Sequence, residues 1–238
     1  MDLKDKVVLI TGASKGIGKI TSIAMAKKQA KLAIAARTSH LLDETAKEIE
    51  KAGSSVFTYA GDLTQENQLD QFIKSAVAHF GKIDILVNNA GIGHFGKIGE
   101  LSIDKWDEMF NLNIRSVFLI TQKALPFLRK QGESVIVNVA SLAGKNFFVG
   151  GGGYAATKHA LVGFSRCLML EERGKGVRVL TLCPGSVDTH FFDGRENEDE
   201  IRKKRILHAE DVAQTIIGMI ELPQHALVSE IDIRPTNP

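Results

Sequence analysis

The chain has 238 residues and 44% of them are hydrophobic, so it can bury the core of one large α/β domain or of two small ones. Its 30 Lys and Arg residues nearly balance its 28 Asp and Glu residues, which gives no electrostatic reason to expect binding to nucleic acid or to an anionic membrane. Cys167 and Cys183 lie in apolar stretches and are expected to be buried free thiols, and the histidines and cysteines lack metal-ligand spacing. We see no signal peptide and no apolar run of ~20 residues, so we expect a cytoplasmic protein that does not span a membrane.

Short apolar runs alternate along the chain with longer segments that have helical spacing. The runs are almost continuously apolar, which is typical of parallel strands covered by helices on both faces. We therefore predict a single domain over residues 1–238, with one parallel sheet between two layers of helices. The strands are predicted at 7–11, 31–37, 55–61, 83–90, 134–141 and 177–185, and the helices at 16–29, 39–52, 64–80, 103–130 and 154–173.

A charged segment, GRENEDEIRKKR at 194–205, follows the sixth predicted strand. Its composition is that of a solvated helix or loop. Its position allows a second interpretation, because ligands of open α/β sheets bind at the carboxyl ends of the strands. We expect residues 188–208 to form a lid over the substrate.

The segment TGASKGIG at 11–18 joins the first strand to the first helix. Gly12, Gly16 and Gly18 allow a sharp turn and a close approach of phosphate to the backbone. The N-terminus of the following helix offers free N–H groups and the positive end of its dipole. The strand–turn–helix context predicts a dinucleotide site, although the spacing G-x-x-x-G-x-G differs from the common G-x-G-x-x-G.

The end of the second strand, AIAARTSH, indicates which dinucleotide binds. An NAD site usually places an acidic residue here, about 20 residues after the glycines, but this chain has Ala36 and Arg37. Arg37 and the loop residue Lys15 would suit a ribose 2′-phosphate, so we predict NADP(H). Asp62, after the third strand, is a candidate hydrogen-bond acceptor for the adenine amino group, or alternatively a helix N-cap in competition with Thr64.

The segment GGGGYAATK at 150–158 carries one of the two tyrosines of the chain. Tyr154 and Lys158 are four residues apart at the start of a helix and share one face. A nearby ammonium lowers the pKa of a phenol towards the working range, so Tyr154 could protonate a carbonyl oxygen. Ser141 could hydrogen-bond the same oxygen, and Asn113 could hold a water near Lys158. Each of these residues also has an ordinary structural explanation on its own, and their combination carries the prediction.

These motifs, with NNAG at 88–91 and PG at 184–185, resemble those of the short-chain dehydrogenase/reductase family over nearly the whole chain. Bacterial NADP-dependent 3-oxoacyl-(acyl-carrier-protein) reductases are most similar in type. The resemblance implies a doubly wound, Rossmann-type sheet of seven parallel strands, with EIDIRP at 230–235 as the last strand. It implies a catalytic tetrad of Asn113, Ser141, Tyr154 and Lys158. The residues expected to bind the cofactor, from the motifs and from the resemblance together, are Gly12, Ser14, Lys15, Gly16, Ile17, Gly18, Arg37, Asp62, Leu63, Asn89, Ala90, Gly91, Tyr154, Lys158, Pro184, Gly185, Val187 and Thr189.

Histidines and phenylalanines follow the fourth, fifth and sixth strands and are candidates for a substrate pocket. We predict substrate contacts from His94, Phe148, His190 and Phe191. His94 could instead be an ordinary surface loop histidine, and Phe148, like its neighbour Phe147, could equally be a core or interface residue. An aromatic pocket would favour an acyl or aryl ketone over a sugar.

The sequence thus predicts an NADP(H)-dependent enzyme that reduces a free ketone or a 3-oxoacyl group. An acyl carrier protein is a candidate partner, and the cations at 129, 130, 173 and 175 could contact it, although cations at helix C-termini also complement the helix dipole. A polyol or sugar alcohol dehydrogenase and a non-catalytic NADP-sensing protein are the alternatives. The resemblance implies a homo-oligomer, a dimer or a tetramer, although the tail EIDIRPTNP lacks the family's common glycine-rich ending.

Overall fold

The computed structural model describes residues 1–189, 191 and 206–236. Seven parallel strands form one sheet in the order β3-β2-β1-β4-β5-β6-β9, and β7 and β8 form a separate parallel pair. The strands are β1 (Val7–Thr11), β2 (Lys31–Ala36), β3 (Val56–Ala60), β4 (Ile85–Asn88), β5 (Ser134–Val139), β6 (Val177–Pro184), β7 (Val187–Asp188), β8 (Leu207–His208) and β9 (Glu230–Ile233). The α-helices are α1 (Gly16–Lys27), α2 (Ser39–Lys51), α3 (Glu66–Phe80), α4 (Ile103–Phe110), α5 (Ser116–Leu128), α6 (Gly152–Glu172) and α7 (Ala209–Glu221). The predicted doubly wound, Rossmann-type fold with seven parallel strands is confirmed.

The alternating residues of β1 show how the sheet divides the core into two layers. Val8 and Ile10 pack in a cluster with residues of α1, α2 and α7. Val7 and Leu9 point to the other face and pack with residues of α3, α5 and α6. All four side chains are fully buried, so the apolar runs in the sequence reflect strands that are covered on both faces. The strand order reverses between β1 and β4, and a ligand crevice is expected at the carboxyl edge there.

The predicted helix at 103–130 is interrupted in the structure. A π-helical turn, Asn111–Arg115, separates α4 from α5 and contains Asn113. A further helix, α7, was not predicted, although its buried residues at positions 212, 213, 216, 217 and 220 have helical spacing. Cys183 is a buried free thiol as expected, but the expectation for Cys167 is wrong, because its position on α6 is exposed to solvent.

The predicted lid at 188–208 lies largely outside the described residues. Where it begins and ends, β7 and β8 pair in parallel, with Val187 opposite Leu207 and Asp188 opposite His208. Among the helices that the structure describes, none has both the length and the hydropathy needed to cross a lipid bilayer.

Candidate active site

The glycine turn after β1 is built for close backbone packing. Gly12 and Gly16 have φ values of +68° and +55°, in the left-handed region that favours glycine. A Cβ atom on Gly18 would lie 2.3 Å from the carbonyl oxygen of Gly12, so the first turn of α1 is pressed against the loop. The N-cap residue Lys15 makes no side-chain capping hydrogen bond, which leaves the first N–H groups of α1 available to an anion.

Asn89, directly after β4, stabilises this turn through hydrogen bonds. Its side-chain amide donates hydrogen bonds to the carbonyl oxygens of Thr11 (2.9 Å) and Gly12 (3.1 Å). The hydroxyl of Thr11 accepts hydrogen bonds from the backbone N–H groups of Asn89 (3.1 Å) and Ala90 (3.0 Å). The sequence analysis expected Asn89 at the ligand, and the structure shows that its amide also holds the glycine turn in place.

A cavity of about 990 Å³ runs along the carboxyl edge of the sheet from the glycine turn to α6. It brings together most of the residues that the sequence predicted for the cofactor. Gly18 is the exception, because it packs beneath the turn rather than at the cavity wall. The predicted cofactor residues that line the cavity are Gly12, Ser14, Lys15, Gly16, Ile17, Arg37, Asp62, Leu63, Asn89, Ala90, Gly91, Tyr154, Lys158, Pro184, Gly185, Val187 and Thr189.

Arg37 and Lys15 line the same end of the cavity, together with Thr38, which the sequence analysis did not single out. Asp62 is held by its neighbour: its Oδ1 accepts hydrogen bonds from the backbone N–H (3.0 Å) and the hydroxyl (2.8 Å) of Thr64. Burial raises the pKa of Asp62, but the hydrogen bonds from Thr64 and Gln65 and the charge of Arg37 outweigh it, so the pKa lies below its ordinary value. Asp62 is not a helix N-cap, because α3 begins only at Glu66.

Tyr154 and Lys158 lie in the first two turns of α6 and face the cavity. The Lys158 ammonium lies 5.7 Å from the centroid of the Tyr154 ring and donates a hydrogen bond to the carbonyl oxygen of Val139 (3.1 Å). Lys158 is only 5% exposed, and among the described residues it has no carboxylate partner. Burial lowers the pKa of Lys158 to about 8, against a small opposing effect of Cys183. The ammonium is therefore still mostly charged at neutral pH.

Asn113 lies behind the cavity wall and is almost completely buried. Its amide nitrogen donates to the carbonyl oxygen of Ile92 (2.9 Å) and to the hydroxyl of Thr157 (3.0 Å), and its oxygen accepts from the backbone N–H of Ile92 (2.9 Å). Thr157 in turn donates to the carbonyl oxygen of Tyr154 (2.8 Å). The Asn113 side chain therefore joins the loop after β4 to the first turn of α6. Nothing in the sequence pattern pointed to Thr157.

Ser141 follows β5 and lines the cavity with Tyr154 and Lys158. It caps the short 3-10 helix Leu142–Gly144, and its hydroxyl accepts a hydrogen bond from the backbone N–H of Ala143 (3.1 Å). The same hydroxyl lies 3.5 Å from the carbonyl oxygen of Pro184, a long donor contact. The capping bond orients the hydroxyl on the cavity side of the turn.

Phenylalanine rings line the substrate end next to Tyr154. The centroids of Phe95 and Phe191 lie 5.4 and 5.6 Å from that of the Tyr154 ring, and Phe148 packs on Phe95 with centroids 6.1 Å apart. His94 also lines this end, and its Nε2 lies 2.7 Å from a carboxylate oxygen of Glu108, a residue that the sequence analysis missed. The structure thus brings His94, Phe148 and Phe191 together, whereas the predicted contact His190 lies outside the described residues.

The glycines before Tyr154 each face a close neighbour. Gly150 has a φ of +78°, and its carbonyl oxygen accepts a hydrogen bond from the backbone N–H of Gly96 (2.9 Å). Cβ atoms on the next three glycines would lie within 2.3–2.5 Å of side-chain atoms: Phe148 at Gly151, Ile98 at Gly152 and Met109 at Gly153. The run is needed because apolar side chains pack directly on its backbone.

Comparison with known proteins agrees with this fold. The family model described as short chain dehydrogenase matches residues 6–200, and the chain belongs to this family. A relative in Staphylococcus epidermidis, named an uncharacterized oxidoreductase, is 33% identical over 98% of both chains. The prediction of an oxidoreductase enzyme of this family is confirmed.

Two solved structures extend the comparison. The alcohol dehydrogenase of the archaeon Thermococcus sibiricus, complexed with 5-hydroxy-NADP, is 30% identical, covers 99% of this chain and 98% of its own, and has a TM-score of 0.91. The 3-ketoacyl-(acyl-carrier-protein) reductase of Brucella melitensis, complexed with NADH, is also 30% identical, covers 98% of both chains and has a TM-score of 0.90. Both are similar to this chain over its whole length, and their cofactors differ in the 2′-phosphate.

Proposed function

We propose that this protein is an NADP(H)-dependent carbonyl reductase in which Tyr154 transfers a proton to or from the substrate oxygen. The observation that carries the proposal is the buried Lys158 ammonium, 5.7 Å from the ring of Tyr154, at a cavity that also contains the glycine turn. An ammonium without a carboxylate partner is costly to bury, which favours a functional reason for its position.

The residues of the glycine turn fit a dinucleotide. Gly12 and Gly16 keep side chains out of the turn: a Cβ on Gly12 would lie 2.8 Å from the Cα of Ala90, and one on Gly16 would lie 3.3 Å from Thr189. The free N–H groups of α1 suit the pyrophosphate, and Lys158 suits the nicotinamide ribose. When bound, the reduced nicotinamide supplies the hydride that the side chains of this protein cannot supply.

The roles of the side chains follow from their charges and contacts. The Lys158 ammonium stabilises the phenolate of Tyr154, so the tyrosine gives up its proton more readily at neutral pH. Ser141, at the same cavity wall, can donate to the substrate oxygen once its hydroxyl turns from Pro184. Asn113 supports this arrangement as a positioning residue, because its amide groups are all bound within the protein. The water that the sequence analysis expected Asn113 to hold near Lys158 stays a prediction.

The preference for NADP(H) is proposed from the charges at the end of β2. Arg37 and Lys15 line the cavity there. Among the described residues, Asp62 is the only acidic residue that lines this end, and its carboxylate already accepts two hydrogen bonds from Thr64. A guanidinium binds a phosphate through two parallel hydrogen bonds, which a ribose hydroxyl cannot match.

The aromatic walls favour an apolar ketone or a 3-oxoacyl group as substrate, and disfavour the alternative of a polyol or sugar alcohol. The similarity to a 3-ketoacyl-(acyl-carrier-protein) reductase keeps an acyl carrier protein as a candidate partner. Two of the four cations that could contact such a carrier protein, Arg129 and Lys175, form ion pairs with Glu172. These pairs lie at the C-terminal ends of α5 and α6, away from the cavity. Turnover of carrier-bound substrate that exceeds turnover of the matching free thioester would support the partner, and equal turnover would count against it.

We also propose a homo-oligomer. Phe118 on α5 and Leu170 on α6 are large apolar side chains that remain exposed in the single chain. A dimer or tetramer that packs these helices together would bury them. Sedimentation velocity tests this, and a monomeric mass at micromolar concentration would contradict it.

The chain provides its own control for the catalytic proposal, because it contains two tyrosines. Tyr154→Phe removes the transferable proton, and we expect NADPH oxidation with an accepted ketone to fall at least 1000-fold, in line with the loss of a general acid. NADPH affinity, measured by fluorescence titration, should change less than threefold. Tyr59→Phe removes a hydroxyl that bonds Gln71 and does not line the cavity, and should change neither quantity. If the wild type binds NADPH but reduces no ketone in a broad panel, the alternative of an NADP-sensing protein gains support.

A further inference from the structure

The cavity does not end at the catalytic residues but continues outward to an apolar surface. Phe147 and Phe148 both line the cavity. With Val149 and Ile98 they form a surface that we call the outer rim, and these four side chains are 85%, 47%, 88% and 70% exposed. Four large apolar side chains exposed on two adjoining loops are unusual on a folded domain and typically mark a binding surface.

The outer rim has a defined structure. The ring of Phe147 stacks on that of His159, with centroids 5.3 Å apart and planes 11° from parallel. Phe148 and Ile98 are seated over Gly151 and Gly152, where any Cβ atom would overlap them. The two loops that carry the rim are joined by the backbone hydrogen bond from Gly96 to Gly150. Rings held in this way keep their orientation at low entropic cost when a ligand binds.

A continuous row of rings connects the rim to the reactive hydroxyl. Tyr154 contacts Phe95 at 5.4 Å, and Phe95 contacts Phe148 at 6.1 Å, next to Phe147 in the chain. A molecule whose carbonyl reaches Tyr154 would therefore place the rest of its body along Phe95 and Phe148, and then against the rim. A long molecule bound in the cavity would therefore also contact the outer rim.

We propose that the substrate carries a long apolar tail, and that the outer rim binds this tail outside the cavity. This inference rests on the proposed function, because it takes the carbonyl to be bound at Tyr154. The substrate class is then a ketone or 3-oxo compound with an extended alkyl or alkyl–aryl chain, rather than a small ketone that the cavity encloses completely.

The expected size of the effect follows from the area that a tail can bury. A fully buried methylene contributes about 0.8 kcal/mol, which is close to a fourfold change in affinity. A surface that covers a tail on one side gives roughly half of this free energy, about twofold per methylene. The ten-carbon ketone of a straight-chain 2-ketone series should therefore have a kcat/KM about 50-fold above the four-carbon ketone.

The experiment compares three proteins on this series: the wild type, Phe147→Ala and Ile103→Ala. Ile103 is the control, because this large apolar side chain is 69% exposed at the start of α4, does not line the cavity and is not part of the proposed oligomer contact. We expect the ratio of ten-carbon to four-carbon kcat/KM to fall about tenfold in Phe147→Ala and to stay at the wild-type value in Ile103→Ala. Calorimetric binding of the same 2-ketones to each protein in the presence of NADP⁺, which carries no hydride to transfer to them, gives a second readout that needs no turnover.

Each result separates the inference from the proposed function. A wild type that reduces all the ketones with no dependence on length overturns the inference and leaves the function standing. A wild type that reduces none, but binds longer ketones more tightly and loses this in Phe147→Ala, retains the inference and overturns the function. The rim would instead be a contact between copies of the chain if Phe147→Ala changes the sedimenting mass and not the length dependence. Flotation with lipid vesicles that is lost in Phe147→Ala, again without a change in length dependence, would make it a membrane contact and also overturn the inference.

Discussion

The two ends of the cavity are built in different ways. At the dinucleotide end, the phosphate-binding turn is mostly backbone: glycines at positive φ and the first N–H groups of α1, with the side-chain amide of Asn89 holding the turn. At the carbonyl end, the wall is made of side chains from distant segments, with Tyr154 on α6, Phe95 after β4 and Ser141 after β5. The glycine turn therefore leaves little room for added atoms, whereas the carbonyl end can change its ligand by changing its side chains.

Gly18→Ala should have the largest effect at the dinucleotide end. The new methyl group would lie 2.3 Å from the carbonyl oxygen of Gly12 and 2.4 Å from the Asn89 amide, so the turn must move. Overpacking costs about 1–3 kcal/mol, and because the strain falls on the phosphate-binding turn we expect NADPH affinity to fall about 100-fold. Fluorescence titration measures the affinity, and thermal unfolding measures the loss of stability.

Gly163→Ala is the control for that change. Gly163 lies within α6 and has open space where its Cβ would be, so alanine should raise the free energy of unfolding by about 0.5–1 kcal/mol and leave NADPH affinity unchanged. If Gly18→Ala bound NADPH as tightly as the wild type, the contrast between a backbone-built end and a side-chain-built end would fail.

Arg37→Asp tests whether a side chain adds specificity to the backbone-built end. Loss of a charge-assisted contact worth about 1.5–3 kcal/mol should lower the ratio of kcat/KM for NADPH to that for NADH by about 50-fold. Arg173→Asp makes the same change of charge at an exposed position that does not line the cavity, and should leave the ratio unaltered. A wild type that used both cofactors equally would refute the proposed preference.

Thr157→Val tests the support of the carbonyl end. Valine keeps the shape but removes the hydroxyl between Asn113 and the carbonyl of Tyr154, which leaves a buried N–H without its acceptor. At about 1–3 kcal/mol for such a loss, we expect kcat to fall about tenfold with little change in KM. Thr157→Ser restores the hydroxyl and should restore kcat. A merely structural role would lower the unfolding temperature in Thr157→Val while kcat remained at the wild-type value.

The smallest expected effect concerns the charge of Lys158. Its pKa is about 8 in the folded protein and 10.5 ordinarily, so between these values the unfolded chain binds more protons and the folded state gains stability as the pH rises. Relative to Lys158→Met, the wild type should gain about 1 kcal/mol of unfolding free energy between pH 8 and pH 9. Urea unfolding of both proteins measures the difference between their free energies of unfolding. If that difference did not change between pH 8 and pH 9, burial would not lower the pKa of Lys158 in the folded protein.

The sequence was most informative where function depends on backbone. The glycine turn, the strands covered on both faces and the first turn of α6 all follow from local residue patterns, and the structure has them where they were predicted. It was least informative where partners come from distant segments. Two contacts show this: the hydrogen bond between Asn113 and Thr157, and the pair of His94 and Glu108. Both depend on how separate elements pack against each other, which the periodicity of the sequence does not show.

Two misses have identifiable causes. The periodicity of 103–130 fits one helix, but the tertiary contacts of Asn113 with Ile92 and Thr157 are made from a π-helical turn that a regular 3.6-residue repeat does not reveal. For α7 the signal was present in the spacing of its buried residues, such as Val212, Ile216 and Ile220, and was overlooked beside the charged segment that precedes it.

The π-helical turn has a consequence for how this chain can vary. Such a turn is an α-helix that holds one surplus residue, so deletion of a single residue at 111–115 would restore a regular helix. Because the wider turn absorbs the surplus residue, α4 and α5 keep nearly the same facing with or without it, and the deletion would act locally. It would remove the backbone position from which the Asn113 amide bonds Ile92 and Thr157. Single-residue gaps in this segment should therefore be far rarer among active relatives than substitutions at its exposed positions.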